Sequence, residues 1–141
     1  MRFWDSSALA ALLLDEPASE SVNTLINLDS GTTVWWATSV ECVSAFARRK
    51  RLGQISNTDF DWAGERLEAA RPYWIEIEPS ENLRAQATRL LNAYPLRAGD
   101  ALQLAAALTA ADGDPASLFF VCLDDRLADC ARREGFPVLP R

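Results

Sequence analysis

Short strand-like segments separated by helical ones set the strongest limit on what this chain can become. Residues 2–5, 33–37, 73–77, 118–123 and 137–139 are apolar, rich in Val, Ile, Phe and Trp, and too short to stand as independent helices. Between them, helical periodicity runs over 7–14, 18–28, 39–52, 58–70, 81–93, 98–111 and 126–134. Strands joined through helices make crossover connections, so the pattern predicts an α/β chain with a mainly parallel sheet covered on both faces. The punctuation agrees: Pro17 and Pro79-Ser80 suit helix starts, and Gly53, Gly113 and Gly135 suit helix exits. No repeat, low-complexity tract or long linker interrupts the 141 residues, which read as a single domain, 1–141. Strand order is not readable from the pattern.

Composition removes whole classes of chemistry. The chain has no histidine, which excludes imidazole-based triads, Cys-His pairs and His-bearing zinc sites. Lys and Arg number 14 against 20 Asp and Glu, a net charge of −6 that gives no reason to expect broad, non-specific nucleic-acid binding. Cys42, Cys122 and Cys130 form no C-x-x-C pair, and an odd count predicts free thiols in a reducing cytoplasm. The longest aliphatic run, Ala8 to Leu14, is too short for a membrane span and unlike a secretory leader, so no membrane association is expected.

Three acids on the helical stretches have a basic residue one turn further on. Glu68 is followed by Arg71, Glu81 by Arg84, and Asp129 by Arg132 and Arg133, the spacing of solvated ion pairs. Four other acids, none followed by such a neighbour, stand out. Glu41 lies in the apolar-rich run Val40, Val43, Phe46, Ala47; Asp100 is followed at helical spacing by Gln103 and Leu104, and Asp124 by Leu127 and Ala128. Asp5 closes the first strand segment and precedes Ser6 and Ser7. Taken singly, Asp5 and Asp124 also read as helix N-caps, and Asp100 as a first-turn acid favoured by the helix dipole.

Position joins them. In an open parallel sheet, ligands gather beyond the carboxyl ends of the strands, where strand order reverses. Asp5 and Asp124 end two strand segments, Glu41 follows a third, and Asp100 opens a helix. Two carboxylates about 4 Å apart repel by roughly 4 kcal/mol at an effective dielectric near 20, so such a cluster needs a cation or shared protons. An all-oxygen set without His or Cys selects Mg²⁺ or Mn²⁺, the apparatus of displacement at phosphorus.

Four segments then resemble the PIN-domain family, and within it the VapC-like toxins of bacterial toxin–antitoxin pairs: Phe3-Trp4-Asp5-Ser6-Ser7-Ala8-Leu9, Thr38-Ser39-Val40-Glu41, Leu96-Arg97-Ala98-Gly99-Asp100-Ala101-Leu102 and Val121-Cys122-Leu123-Asp124-Asp125-Arg126-Leu127. Order and spacing match over essentially the whole chain. The resemblance implies a three-layer α/β/α sandwich with a five-stranded sheet in the order 3-2-1-4-5. It implies a Mg²⁺-dependent endoribonuclease holding one or two ions through Asp5, Glu41, Asp100 and Asp124, with Ser6 assisting beside the first Asp. It also implies an RNA substrate, a cognate antitoxin and a homodimer. Cys122 departs from the family, which commonly carries Ser or Thr there, and the doubled Asp124-Asp125 leaves the fourth acid ambiguous.

Around the acids, Arg97 is the expected phosphate contact. The basic run Arg48 to Arg51 reads as a helix C-terminus in preference to an RNA grip. Trp35 and Trp36 read as core, whereas Trp62 points off the apolar face of its helix, as a partner surface would. Two other functions stay in view: a catalytically weak PIN-like module that binds RNA or a partner, and a Mg²⁺-dependent phosphatase. The phosphatase needs D-x-D where this chain has Asp5-Ser6-Ser7.

Overall fold

A computed structural model describes residues 1–28 and 31–141. All five expected strands are present: β1 (Arg2–Trp4), β2 (Thr32–Trp35), β3 (Ile75–Ile77), β4 (Phe119–Val121) and β5 (Val138–Leu139). They pair in parallel in the order β3-β2-β1-β4-β5. The helices are α1 (Ser6–Leu14), α2 (Glu20–Leu28), α3 (Thr38–Arg51), α4 (Asn57–Ala70), α5 (Glu81–Ala93), α6 (Ala98–Ala111) and α7 (Asp125–Arg133). Each falls within two residues of its expected bounds.

The strands' period of two divides the core into two faces. Phe3, Trp35, Phe120 and Val138 join Leu83, Leu90, Leu104 and Leu127 of α5, α6 and α7 on one side. Trp4, Val34 and Val121 join Leu9, Leu13, Phe46 and Leu67 of α1, α3 and α4 on the other. The result is a three-layer α/β/α sandwich. Register is fixed where Phe3 pairs with Phe120 across β1 and β4, their rings stacked 5.6 Å apart.

Local chemistry sets the helix ends. Ser56 and Asp59 form a reciprocal capping box at α4, and Ser80 accepts a hydrogen bond from the Leu83 N–H at α5. Gly135, which follows α7 with φ +104°, supplies the left-handed turn that leads into β5. All three cysteines are buried free thiols. No helix among the described residues is long and apolar enough to cross a membrane.

One expectation about the core is corrected. Trp35 is 5% exposed, but Trp36 is 50% exposed. The strand stops at Trp35, so Trp36 escapes the alternation that would have buried it. Val40 and Val43, in the apolar run around Glu41, are also exposed, while Cys42 and Phe46 carry the buried face of α3.

Candidate active site

The chain runs outward from β1 to β2 and β3, then returns to the other side of β1 for β4 and β5. The switch point therefore lies between β1 and β4, and the residues that leave these two strands meet above it. Asp5 is the first residue after β1 and Asp124 the third after β4.

Asp5 is also the N-cap of α1: its Oδ2 accepts a hydrogen bond from the Ser7 N–H at 3.1 Å. It is 3% exposed. Burial is the main force on its carboxyl, pushing the pKa from 3.8 to about 6 against the pull of the Ser7 bonds, and the charges of Glu41 and Asp100 push the same way. Cys122 stands where a hydroxyl was expected, its Sγ 3.7 Å from Asp5 Oδ2. Burial raises this thiol's pKa, with Asp5 the next cause. It is a neutral, weak donor to the acid beside it.

Glu41, in the first turn of α3, is held from two sides. Ser6 donates its hydroxyl at 2.8 Å and Gln103 its amide at 2.9 Å, both to Oε2. Burial and the charge of Asp100 raise the Glu41 pKa, opposed by these two hydrogen bonds. Asp100 lies in the first turn of α6. Burial and then Asp124 raise its pKa, while Arg97 and Arg126 lower it. Asp124 caps α7, its Oδ1 accepting from the Leu127 N–H at 3.1 Å. Asp125, the first residue of α7, is exposed on the rim; the acid whose charge acts on Asp100 is Asp124.

Three of the four acids expected to converge line one opening, and Asp5 lies in a depression that adjoins it. A cleft of about 810 Å³ is lined by Glu41, Asp100, Asp124 and Asp125 together with Ser6, Arg48, Arg97 and Arg126. A smaller depression that shares Ser6, Asp100 and Asp124 reaches Asp5. The donor set is entirely oxygen and its members repel one another, which suits a hard divalent cation. Among the described residues, no three acidic or thiol groups are already drawn into a metal cage.

Sequence reasoning did not assign Gln103, which is 1% exposed and donates through Nε2 to both Glu41 and Thr38 Oγ1, the latter at 3.0 Å. Its signal was present: a lone amide in the Ala- and Leu-rich run Ala101–Leu108. The basic run at the end of α3 proves to be divided. Arg49 pairs with Glu16, Lys50 sits 4.4 Å from the Phe60 ring centroid, and only Arg48 lines the cleft. Trp62 is 47% exposed, as expected, with the Arg66 guanidinium 4.5 Å above its ring.

No protein-family model matches the chain, and a search of curated proteins returned no significant relative. Solved structures do match. PAE2754 from Pyrobaculum aerophilum superimposes with a TM-score of 0.66 at 20% identity, covering 98% of this chain and 88% of that one. FitAcB from Neisseria gonorrhoeae gives a TM-score of 0.66 at 16% identity, covering 99% of this chain and 97% of its own. At such identities the likeness concerns architecture, and the architecture of this chain is a PIN-like α/β/α fold.

Proposed function

We propose that this protein is a Mg²⁺- or Mn²⁺-dependent endoribonuclease, the toxin of a toxin–antitoxin pair. One observation carries the reading: Glu41, Asp100 and Asp124 line one arginine-rimmed cleft, and the buried Asp5, in the adjoining depression, feels the charges of Glu41 and Asp100. A fold gains nothing in stability from such mutual repulsion, so a ligand is the economical reason for it.

These four carboxylates would hold the ion, which when bound activates water and neutralises charge at a phosphate. Ser6 and Gln103 fix the Glu41 carboxylate so that it faces the cleft. Arg97 meets the non-bridging phosphate oxygens, and the N-terminal ends of α6 and α7 favour the same anion. Water adds to phosphorus as the bond to the 3′ oxygen breaks, leaving a 5′-phosphate and a 3′-hydroxyl.

Two partners belong to this proposal. A groove between α1, α2 and α4, lined by Leu9, Leu12, Leu13, Ile26 and Trp74 and by Arg66, whose guanidinium covers Trp62, would take an antitoxin helix. The exposed Trp36, Val40 and Val43 suit a second copy of the chain. The proposal places the protein in the cytoplasm, where its RNA substrate is.

The deciding experiment compares purified wild type with Asp5→Asn and Asp100→Asn on RNA, with Mg²⁺ and with chelator. The reading expects cleavage by wild type with Mg²⁺ alone, and growth arrest on induction that either substitution relieves. Cleavage that persists in chelator or in both variants refutes it.

A further inference from the structure

Away from the acidic cleft, one hollow borders a buried polar group that the fold leaves without a partner. It measures about 490 Å³ and is lined by Trp35, Trp36, Pro79, Leu83 and Leu102, with the exposed pair Glu81 and Arg84 alongside. Trp35 is 5% exposed, and its indole N–H has no acceptor among the described residues. Buried indoles usually find one, because an unmade hydrogen bond costs more than a made one returns. Trp36 is 50% exposed, and the two rings meet edge to face with centroids 6.5 Å apart. The strand ends at Trp35, yet the backbone N–H of Trp36 still donates to the Ile77 carbonyl at 3.1 Å, which fixes the residue against the end of β3.

The two tryptophans offer a ligand different things: Trp36 an aromatic face, Trp35 a single donor. The charged groups that line the hollow, Glu81 and Arg84, pair with each other at 2.9 Å. The Ser80 hydroxyl oxygen is engaged as the cap of α5, accepting from the Leu83 N–H at 3.1 Å. An aliphatic ligand would leave the indole N–H unanswered, and a charged one would find no free counter-charge. A neutral, flat ring with an acceptor on its edge meets every condition, and a nucleobase is such a ring. Position agrees. The hollow lies beyond the carboxyl ends of β2 and β3, and the cleft beyond those of β1 and β4, on the same edge of the sheet. Asp100 of the cleft and Leu102 of the hollow are two residues apart on α6, so about 200° apart around it; only the width of a helix, about 10 Å, divides the two sites.

We infer that this hollow binds a nucleobase, stacked on Trp36 and accepting a hydrogen bond from the Trp35 indole N–H. A base in a strand held at the cleft and a free nucleoside share this chemistry. The strand as source rests on the nuclease reading, whereas nucleobase binding itself is measurable without cleavage. Val40 and Val43, which do not line the hollow, remain available to a second copy of the chain.

The test is calorimetry on the full chain, with Ca²⁺ replacing Mg²⁺ to prevent cleavage. The probes are adenosine and uridine, which carry no phosphate for the cleft, and a single-stranded RNA oligonucleotide. Wild type is compared with Trp36→Ala, Trp35→Phe and, as a control, Tyr73→Ala, an aromatic 84% exposed that does not line the hollow. Trp36→Ala should weaken binding about tenfold through the lost stack. Trp35→Phe, which keeps a ring but removes the N–H, should weaken it about fivefold. Tyr73→Ala should track wild type. This pattern with the nucleosides assigns the site to free bases, and with the oligonucleotide alone to bases within a strand; either supports the inference. Because Trp36 is exposed, its variant decides the matter even if Trp35→Phe fails to fold. Absence of binding by wild type to every probe, or equal affinities for wild type and Trp36→Ala, would overturn it, even if wild type cuts RNA. So would a Trp36→Ala chain that loses a dimer seen for wild type in sedimentation while its affinities stay unchanged, since the face then belongs to a second copy. A wild type that shows the expected pattern but leaves the oligonucleotide intact when Mg²⁺ is restored would instead remove the nuclease reading and keep the nucleobase site.

Discussion

Replacing Asp5 with Asn should make the metal-free protein more stable, an unusual result for a substitution in a buried site. Burial raises the Asp5 pKa from 3.8 to about 6, and this value already includes the opposing help of the Ser7 hydrogen bonds. At 1.36 kcal/mol per pH unit, holding Asp5 ionised in the fold costs about 3 kcal/mol. The sign follows from the direction of the shift. A raised folded pKa means that the contribution to stability is complete below pH 3.8 and disappears as pH rises through about 6. Wild type should therefore lose about 3 kcal/mol from this group between acid and neutral pH, a loss the variant escapes. Asn caps helices as well as Asp does, so the bond from the Ser7 N–H survives. For a chain of this size the gain at pH 7.5 corresponds to a melting temperature roughly 10 °C higher. Thermal and urea unfolding with chelator, at pH 4 and pH 7.5, would measure the difference between the two proteins. Titrating Mg²⁺ into each then asks whether wild type alone is stabilised. If Asp5→Asn is less stable than wild type at pH 7.5, or if the difference does not change with pH, the account of Asp5 as a charge held at a cost is wrong.

Other outcomes test separate parts of the structure. Gln103→Leu removes a donor whose bond lowers the Glu41 pKa, so that pKa should rise further and the acid limb of the pH–rate profile should move to higher pH. Stability should change by only about 1 kcal/mol, because the deleted amide also carries a buried oxygen without a partner. Glu134, remote from the cleft, accepts hydrogen bonds from Arg89, the main cause of its lowered pKa, and from Tyr94 at 2.6 Å, which lowers it further. Its contribution is therefore present above the ordinary pKa of 4.5 and lost as pH falls through the lowered value, opposite in sign to that of Asp5. Glu134→Gln should cost about 1–2 kcal/mol in neutral denaturant titrations and leave RNA cleavage unchanged. Gly135→Ala should destabilise by about 1 kcal/mol or more through its backbone alone. An added Cβ there would only touch Pro115 at an ordinary 3.5 Å, so a larger loss in a melt would point to packing.

What the sequence disclosed and what it withheld divide along the range of the interactions involved. Strand and helix identity depends on neighbours a few residues away, and all five strands and seven helices were legible. The exits at Gly53, Gly113 and Gly135, each with positive φ, were legible for the same reason. Strand order is a matter of pairing between distant segments, and only the family likeness supplied it. Trp36 was misplaced because alternation gives the face of a residue within a strand but not the point at which pairing stops. Gln103 was passed over because its partners, Thr38 and Glu41, lie 65 and 62 residues away. The basic tetrad on α3 looked uniform along the chain. Its members diverge because a helix turns each by about 100°, carrying Arg49 to Glu16, Lys50 to Phe60 and Arg48 to the cleft.

The cap reading of the acids and the proposed metal reading do not exclude one another. Asp5 and Asp124 cap α1 and α7, as a purely structural reading would have them do, and the same turns aim them at the switch point. A strand that leads directly into a helix in a parallel sheet must turn at its carboxyl edge, where ligands collect, so one side chain meets both demands. The cap also makes the charge tolerable: N–H groups at the helix start stabilise an anion that burial penalises. For Asp5 that help is partial, since the pKa still stands near 6 with the Ser7 bonds in place. The uncompensated remainder, increased by Glu41 and Asp100, is what a divalent ion would relieve on the proposed reading. A chain that only needed caps would have buried no such remainder: Ser56 and Ser80 cap α4 and α5 without any charge.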